Sequence, residues 1–357
     1  MENMVWAFGE IGIWRDTLEG KSVVHLVGSG YDVVADPSGV VPVPEDIAPR
    51  IDLESIPSRP EEGSTRRPTS PGAERWLGIR VRVLDHGFVT LVDYMGTDES
   101  IVRAARVSTG SRSKGPEDDR RLIRYLMRNA HTSPFEHVEV AFHVRLPIFV
   151  ARQWVRHRTA HLNEHSARYS ELRDEFYLPE PEDIGGQDAS NRQGRGDPLP
   201  PEKANLARTM MDKIHADAYR TYAKLLELGV ARELARLVLP VSIYTEWYWK
   251  IDLHNLFHFL KLRLDPHAQF EIRRYAETIA AIVRDGWPLA WEAFEDFALR
   301  AVPLSRSELE VLRLLNLQID AQALEEACAS VGLGERERRE LRRKFTTVGM
   351  LTEEHGR

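Results

Sequence analysis

The chain has a single cysteine in 357 residues. One thiol excludes an internal disulfide and a Cys-rich zinc site, and Cys328, in "EEACASVG", is not expected to act as a nucleophile. No apolar run reaches the roughly eighteen residues that cross a bilayer, so no membrane partner is expected. The stretch "MENMVWAFGEIGIWRDTLEG" lacks a basic first segment and is interrupted by Glu10, Arg15 and Asp16. It does not read as a secretory signal, and the cytoplasm is the expected compartment. Excess positive charge is missing too: 48 basic against 55 acidic side chains leave a net charge of −7. A general nucleic-acid binder carries a basic domain or stripe, so no nucleic-acid partner is expected.

What is present divides into three parts. Residues 1–78 are expected to be an N-terminal arm, largely disordered, because "DPSGVVPVPEDIAPRIDLESIPSRPEEGSTRRPTSPGA" is rich in Pro, Gly, Ser and charge without a sustained period. Before it, "VVHLVGSGYDVV" predicts a short hairpin; Gly28 and Gly30 supply only half of a dinucleotide fingerprint, since Val33 stands where its third glycine would be. A chain starting near Ile79 is expected to fold without the arm. Residues 79–304 form the expected main domain, and 305–357 a helical appendage opened by a capping-box pattern in Ser305 and Glu308.

Within the main domain, "IRVRVLDHGFVTLVDYMG" alternates as a strand pair, and "TDESIVRAARVS" predicts a helix capped by Thr97. Pro116 opens a second helix. "HVEVAFHVRL" reads as a strand, after which Pro147 opens the helix "PIFVARQWVRHR". The patternless stretch 183–201 is expected as a mobile loop near a site. Helical segments follow in "EKANLARTMMDKIHADAYRTYAKLLELG", from "AREL" to "LVLP", in "TEWYWKIDLHNLFHFLKLRL" and in "HAQFEIRRYAETIAAIVRDGW". The expected class is α+β, an antiparallel sheet flanked by helices.

The densest chemistry lies in "RQWVRHRTAHLNEHSARYSEL", where Arg152, Arg156, Arg158 and Arg168 accompany His157, His161 and His165 around one acid, Glu164. Histidines every fourth residue, repeated at His254 and His258, would share a helix face and could bind zinc. Four guanidinium groups oppose a divalent cation, however, so no metal site is expected. Arginine forks match phosphate oxygens, which leaves either an anionic ligand or ion pairs with scattered carboxylates.

The ordered pattern Arg156-His157-Arg158, seven residues, Ser166, continued by Asn163, Glu164, Arg168 and Tyr169, resembles the signature of flavin-dependent thymidylate synthases. The resemblance runs from about Val83 through "RAARVS", "HTSPFEH", "ARLVLP", "LHNLFHFLKLR" and "HAQFEI" to near Phe297. It implies the family's fold and its reaction: reductive methylation of dUMP to dTMP, with methylenetetrahydrofolate as carbon donor and NADPH-reduced FAD as hydride donor. It also implies a homotetramer with sites between chains. The redox chemistry would belong to the cofactors, the protein supplying binding, orientation and charge.

By the same resemblance Gln153, Arg156, Glu164, Ser166, Arg168, Arg236 and Arg263 surround dUMP, with Arg168, Arg236 and Ser166 holding its phosphate. Arg263 is the catalytic candidate, facing the uracil carbonyl side; read from its surroundings alone it would pair with Asp265. The FAD set is Ser108, Ser133, Glu136, Arg156, His157, Arg158, His254 and His258. His131 is placed near the site only by analogy, and Asp252 and Asn255 read either as flavin contacts or as helix hydrogen bonds. Two residues depart from the family pattern. His161 stands at a frequent serine and reads either as a solvated side chain or as a folate or proton contact. Ala167 stands at a frequent glycine, so the backbone there should be right-handed or extended. A phosphate-binding module without turnover, or a zinc hydrolase, would use some of these residues, but neither needs Gln153, Ser166 and Arg263 together.

Overall fold

The structure, a computed structural model, describes residues 67–351 except 111 and 190–193, together with the backbone of five earlier strands. Among these, β1 (Trp6–Phe8), β2 (Ile11–Leu18), β3 (Lys21–Leu26) and β4 (Asp32–Val34) form an antiparallel sheet in that order. The expected hairpin is the β3–β4 pair, Val23 opposite Val34; its glycine-bearing turn lies outside the described residues, as does most of the expected linker. β5 (Val41–Pro42) runs parallel to the first strand of the main sheet.

Ahead of the expected boundary at Ile79 lies α1 (Pro71–Trp76). The Ser70 hydroxyl caps it by accepting from the Ala73 N–H at 3.2 Å, and Ala73 is fully buried. The Pro, Gly and Ser that read as linker composition here open a helix, cap it and let it pack closely.

The main sheet adds β6 (Arg80–Val83), β7 (Gly87–Met95), β8 (Glu139–Pro147), β9 (His161–Glu164) and β12 (Tyr244–Asp252), in the order β5-β6-β7-β8-β12-β9. All its pairings beyond β5–β6 are antiparallel. The strand β12 corrects the helical reading of "TEWYWKID": Trp247, Trp249 and Ile251 are buried while Glu246, Tyr248 and Lys250 alternate with them toward solvent. That is a period of two carried by aromatic residues that favour strands. Likewise, 183–201 is corrected from a patternless loop to a hairpin of β10 (Gly185–Gln187) and β11 (Arg195–Pro198).

The helices of this unit are α2 (Asp98–Arg106), α3 (Pro116–Arg128), α4 (Ile148–Trp154), α5 (Pro201–Glu227), α6 (Arg232–Ala235), α7 (Leu253–Arg263), α8 (Phe270–Gly286) and α9 (Pro288–Phe294), of which α4, α7 and α8 pack on the sheet. Trp154, the last residue of α4, is the hub of the core. Its ring lies 4.7 Å from Phe259, 5.0 Å from Trp249, 5.6 Å from Trp247 and 5.9 Å from Tyr275, tying α4 to β12, α7 and α8. Burying such a side chain contributes roughly 2–3 kcal/mol, so the end of α4 is firmly placed. No described helix is long and apolar enough to cross a membrane.

Arg300–Arg357 form a second unit. There α10 (Arg306–Leu314) begins with the expected capping box, and α11 (Ala321–Ser330) and α12 (Glu335–Thr347) follow. Leu324, Cys328 and Leu351 make its small core.

Candidate active site

The fixed end of α4 decides what happens to the Arg-His-Arg stretch. The helix stops after Trp154, so Arg156, His157 and Arg158 leave it in coil rather than continuing it as expected. His161 then lies on the exposed edge strand β9, and His165 just beyond it. The three histidines therefore share no helix face, and among the described residues no three His, Cys, Asp or Glu side chains converge as metal ligands.

His157 meets α7. Its Nε2 accepts from Nε of Arg263 at 3.0 Å, and its ring lies 4.9 Å from Phe259 and 5.9 Å from His258. Burial first, then the Arg263 and His258 charges, pull the His157 imidazole down to about 4, so it is neutral near pH 7. Burial also lowers the Arg263 guanidinium from its ordinary value, although arginine keeps its charge. Asp265 does not pair with Arg263; it accepts instead from the backbone N–H and ring of His267, at 2.8 and 2.9 Å. With one N–H committed to His157, the rest of the Arg263 fork has no hydrogen-bond partner among the described residues and is available to a ligand.

A second group forms at the sheet edge. β9 pairs with β12, placing Glu164 opposite Trp247, and the Thr245 hydroxyl donates to Glu164 at 2.7 Å. The His165 N–H continues the pairing to the Glu246 carbonyl at 2.8 Å. The chain then turns, the Tyr169 N–H bonding the Ser166 carbonyl at 3.0 Å and the Arg168 N–H the Ser166 hydroxyl at 3.3 Å. Ala167 is not among the residues with positive φ, in keeping with the left-handed region's cost for a side chain with a Cβ. Glu164, His165, Ser166, Ala167, Arg236 and Thr245 line a cleft of about 360 Å³. Among the described residues Arg236 has no ion-pair partner, and Arg168 pairs with Glu233 at 3.8 Å and lies over the Tyr169 ring at 5.8 Å. A cleft with an uncompensated guanidinium, a hydroxyl and turn amides can take a phosphate.

The remaining residues lie on several elements, the turn at 135–137 packing against α7. Ser133 and Glu136 sit on a turn whose Phe135 packs edge-on to Phe257 at 6.5 Å. His254 and His258 lie one turn apart on α7. Asp252 caps that helix, accepting from the Asn255 backbone and side chain at 2.9 and 2.7 Å, so both residues make helix hydrogen bonds. Ser108 follows α2 with its hydroxyl on the Ala105 carbonyl at 2.9 Å, and His131 packs on Tyr125. His161 is exposed. Gln153 is not among the residues that line the Glu164 cleft; its amide N–H donates to Gln269. Thr245, Gln269 and Glu271 are polar partners that the residue reading did not single out, although "HAQFEI" contains two of them.

Arg156 and Arg158 are exposed and have no ion-pair partner among the described residues, while Ser133, Glu136, His254 and His258 supply polar groups around the same helix. Such a cationic and polar donor set fits a flavin dinucleotide.

The family model described as "Thymidylate synthase complementing protein" matches residues 90–289. The flavin-dependent thymidylate synthase of Thermus thermophilus is 56% identical over 256 residues, covering 72% of this chain and 92% of that protein. That of Ruegeria pomeroyi is 53% identical over 259 residues, 71% of this chain and 86% of the relative. Among solved structures, the UMP/dUMP methylase PolB from Streptomyces cacaoi superposes with a TM-score of 0.56 at 37% identity, over 61% of this chain and 98% of its own. With the sheet-edge cleft, the His157–Arg263 contact and these likenesses in agreement, the chain belongs to the flavin-dependent thymidylate synthases, flavin-using methyltransferases that make thymidylate.

Proposed function

We propose that the chain converts dUMP to dTMP in the cytoplasm as a homotetramer, methylenetetrahydrofolate giving the carbon and NADPH reducing the bound FAD. The observation that carries the residue roles is the pairing of a neutral His157 with Arg263, which holds a charged fork in place while leaving most of its donors unused. Bound FAD supplies the hydride. The chain's own residues bind and polarise. Arg236, Ser166 and Arg168 hold the nucleotide phosphate, and Glu164, kept on the cleft wall by Thr245, faces the sugar and base. Arg263 lies toward the uracil carbonyl side, where a fixed guanidinium stabilises negative charge as it develops in the ring. No thiol is needed, and the one cysteine lies in the other unit.

Arg156, His157, Arg158, Ser133, Glu136, Ser108, His254 and His258 would hold the flavin. Within one chain the Arg263 group and the phosphate cleft are built on different elements, as suits a site completed by a neighbouring copy. The exposed stripe of Leu206, Met210 and Ile214 along α5 supports that assembly, because its four-residue spacing lays an apolar band on one helix face. The test is tritium release from 5-labelled dUMP by purified, FAD-loaded protein given methylenetetrahydrofolate and NADPH, alongside its mass in solution. Release dependent on both additions is expected. Release that persists without folate or without NADPH would overturn the assignment of these reactants.

A further inference from the structure

Gln153 is held by a hydrogen-bond relay that begins at a buried carboxylate. Glu271, in the first turn of α8, is 1% exposed. It forms an ion pair with Arg195 of the β11 strand and accepts from the Tyr177 hydroxyl at 3.2 Å. On its other oxygen it accepts from the Gln269 amide nitrogen at 2.8 Å. Gln269 in turn accepts on its side-chain oxygen from the Gln153 amide nitrogen.

The direction of each bond follows from the first. A carboxylate paired with a guanidinium is acceptor-only, so Gln269 must turn its NH2 toward Glu271 and its carbonyl toward Gln153. A carbonyl facing Gln153 requires that Gln153 turn its NH2 back. The Gln153 amide is then left with its oxygen and one N–H for a ligand, in one fixed order. A free glutamine can rotate its amide by half a turn and exchange the two; this one cannot without leaving two acceptors face to face.

We propose that Glu271 and Gln269 are positioning residues that lock the polarity of the Gln153 amide and so make the site read uracil rather than cytosine. The inference rests on the reading that Gln153 faces dUMP. An adjacent acceptor and donor match the N3–H and carbonyl of uracil. Cytosine presents an acceptor at N3 beside its N4 amine, and only the flipped amide matches that pattern. A hydrogen-bonding site discriminates most strongly when the wrong ligand leaves its groups unpaired. The relay also explains why the β10–β11 hairpin is fastened at Arg195: that side chain holds the carboxylate from which the order is set.

The experiment measures equilibrium binding of dUMP and of dCMP to the FAD-loaded protein, followed through the flavin spectrum, for wild type and for Gln269→Met, Glu271→Gln and Gln153→Ala. Gln269→Met keeps volume and removes the relay while leaving the Arg195 and Tyr177 contacts on Glu271. It should retain FAD and bind dUMP about tenfold more weakly, the size of one well-placed hydrogen bond. dCMP should lose less or gain, so that the preference for dUMP narrows. Glu271→Gln, which can donate as well as accept, should narrow it in the same direction and serves if the first variant does not hold FAD. Equal weakening for both nucleotides, or no change in either, overturns the relay when Gln153→Ala does weaken dUMP. If Gln153→Ala leaves dUMP binding unchanged, the placement of Gln153 at the nucleotide is itself wrong.

Discussion

Nε of Arg263 donates to Nε2 of His157 across 3.0 Å, joining the end of α7 to the coil that leaves α4. Because an imidazole accepts there only when that nitrogen carries no proton, the contact and the lowered His157 pKa describe one arrangement.

Arg263→Lys tests the role of the fork. An ammonium cannot both bond His157 and present two coplanar donors to a carbonyl. The variant should keep its FAD, while dUMP affinity and the nucleotide-dependent oxidation of reduced flavin fall. Loss of one preorganised donor costs about 3 kcal/mol, roughly a hundredfold in rate. Flavin reduction by NADPH should change far less. Measuring the two half-reactions separately decides it: equal loss in both would mean that Arg263 supports the fold and not the nucleotide.

The same contact gives stability a pH dependence. An unfolded histidine takes up a proton near 6.5, but His157 in the folded chain does so only at about 4, burial being the main cause, with Arg263 and His258 adding to it. Between those values the unfolded chain binds a proton that the folded chain refuses, so stability falls as pH drops through that window and is fully restored above it. Urea midpoints at pH 7, 6, 5 and 4.5 should therefore decline more steeply for wild type than for His157→Gln. Parallel declines would show that His157 is not held neutral.

The local chemistry of this site was legible in the sequence, and its geometry was not. The signature around Arg156, His157, Arg158 and Ser166 depends on residue order alone, and so did the family it pointed to. The chain leaves the helix at Trp154, which is held by Trp247, Trp249 and Phe259, partners some ninety residues away or more that no local pattern shows. The strand β12 was concealed because its aromatic run leads directly into α7, so one apolar stretch carries two periods. The β10–β11 hairpin has little apolar content and is secured instead by Arg195 on Glu271, a pairing no local pattern announces.

Cys328→Ser separates the appendage from the chemistry. Cys328 is 3% exposed against Leu324 and Leu351 in the second unit. A hydroxyl buried there without a partner should cost that unit about 1–3 kcal/mol. Thymidylate formation by folded, flavin-bound protein should be unchanged, because the proposed reaction uses charge and hydrogen bonds rather than a thiol. A loss of turnover with flavin retained would require a covalent role for this sulfur.

In α1 a linker-like composition folds into a packed helix. The Ser70 hydroxyl donates to the Gly286 carbonyl at 2.5 Å, and its N–H bonds the Tyr94 hydroxyl at 3.0 Å. Trp76 donates to Asp285 at 2.9 Å, and Arg75 pairs with the same carboxylate. At Gly72 the two backbones touch: a Cβ there would fall 1.8 Å from the Asp285 carbonyl oxygen, an overlap that backbone alone must relieve. Gly72→Ala should thus push α1 off α8, at a cost of about 1–3 kcal/mol. A chain beginning at Arg67 keeps these contacts, whereas one beginning at Ile79 loses them together with the fully buried Ala73. At roughly 2–4 °C per kcal/mol for a domain of this size, the Ile79 start should melt about 5 °C or more below the Arg67 start. Thermal unfolding of the two truncated chains and of Gly72→Ala, followed by tryptophan fluorescence, measures this directly. Identical midpoints for the two starts would return α1 to the arm and restore Ile79 as the edge of the domain.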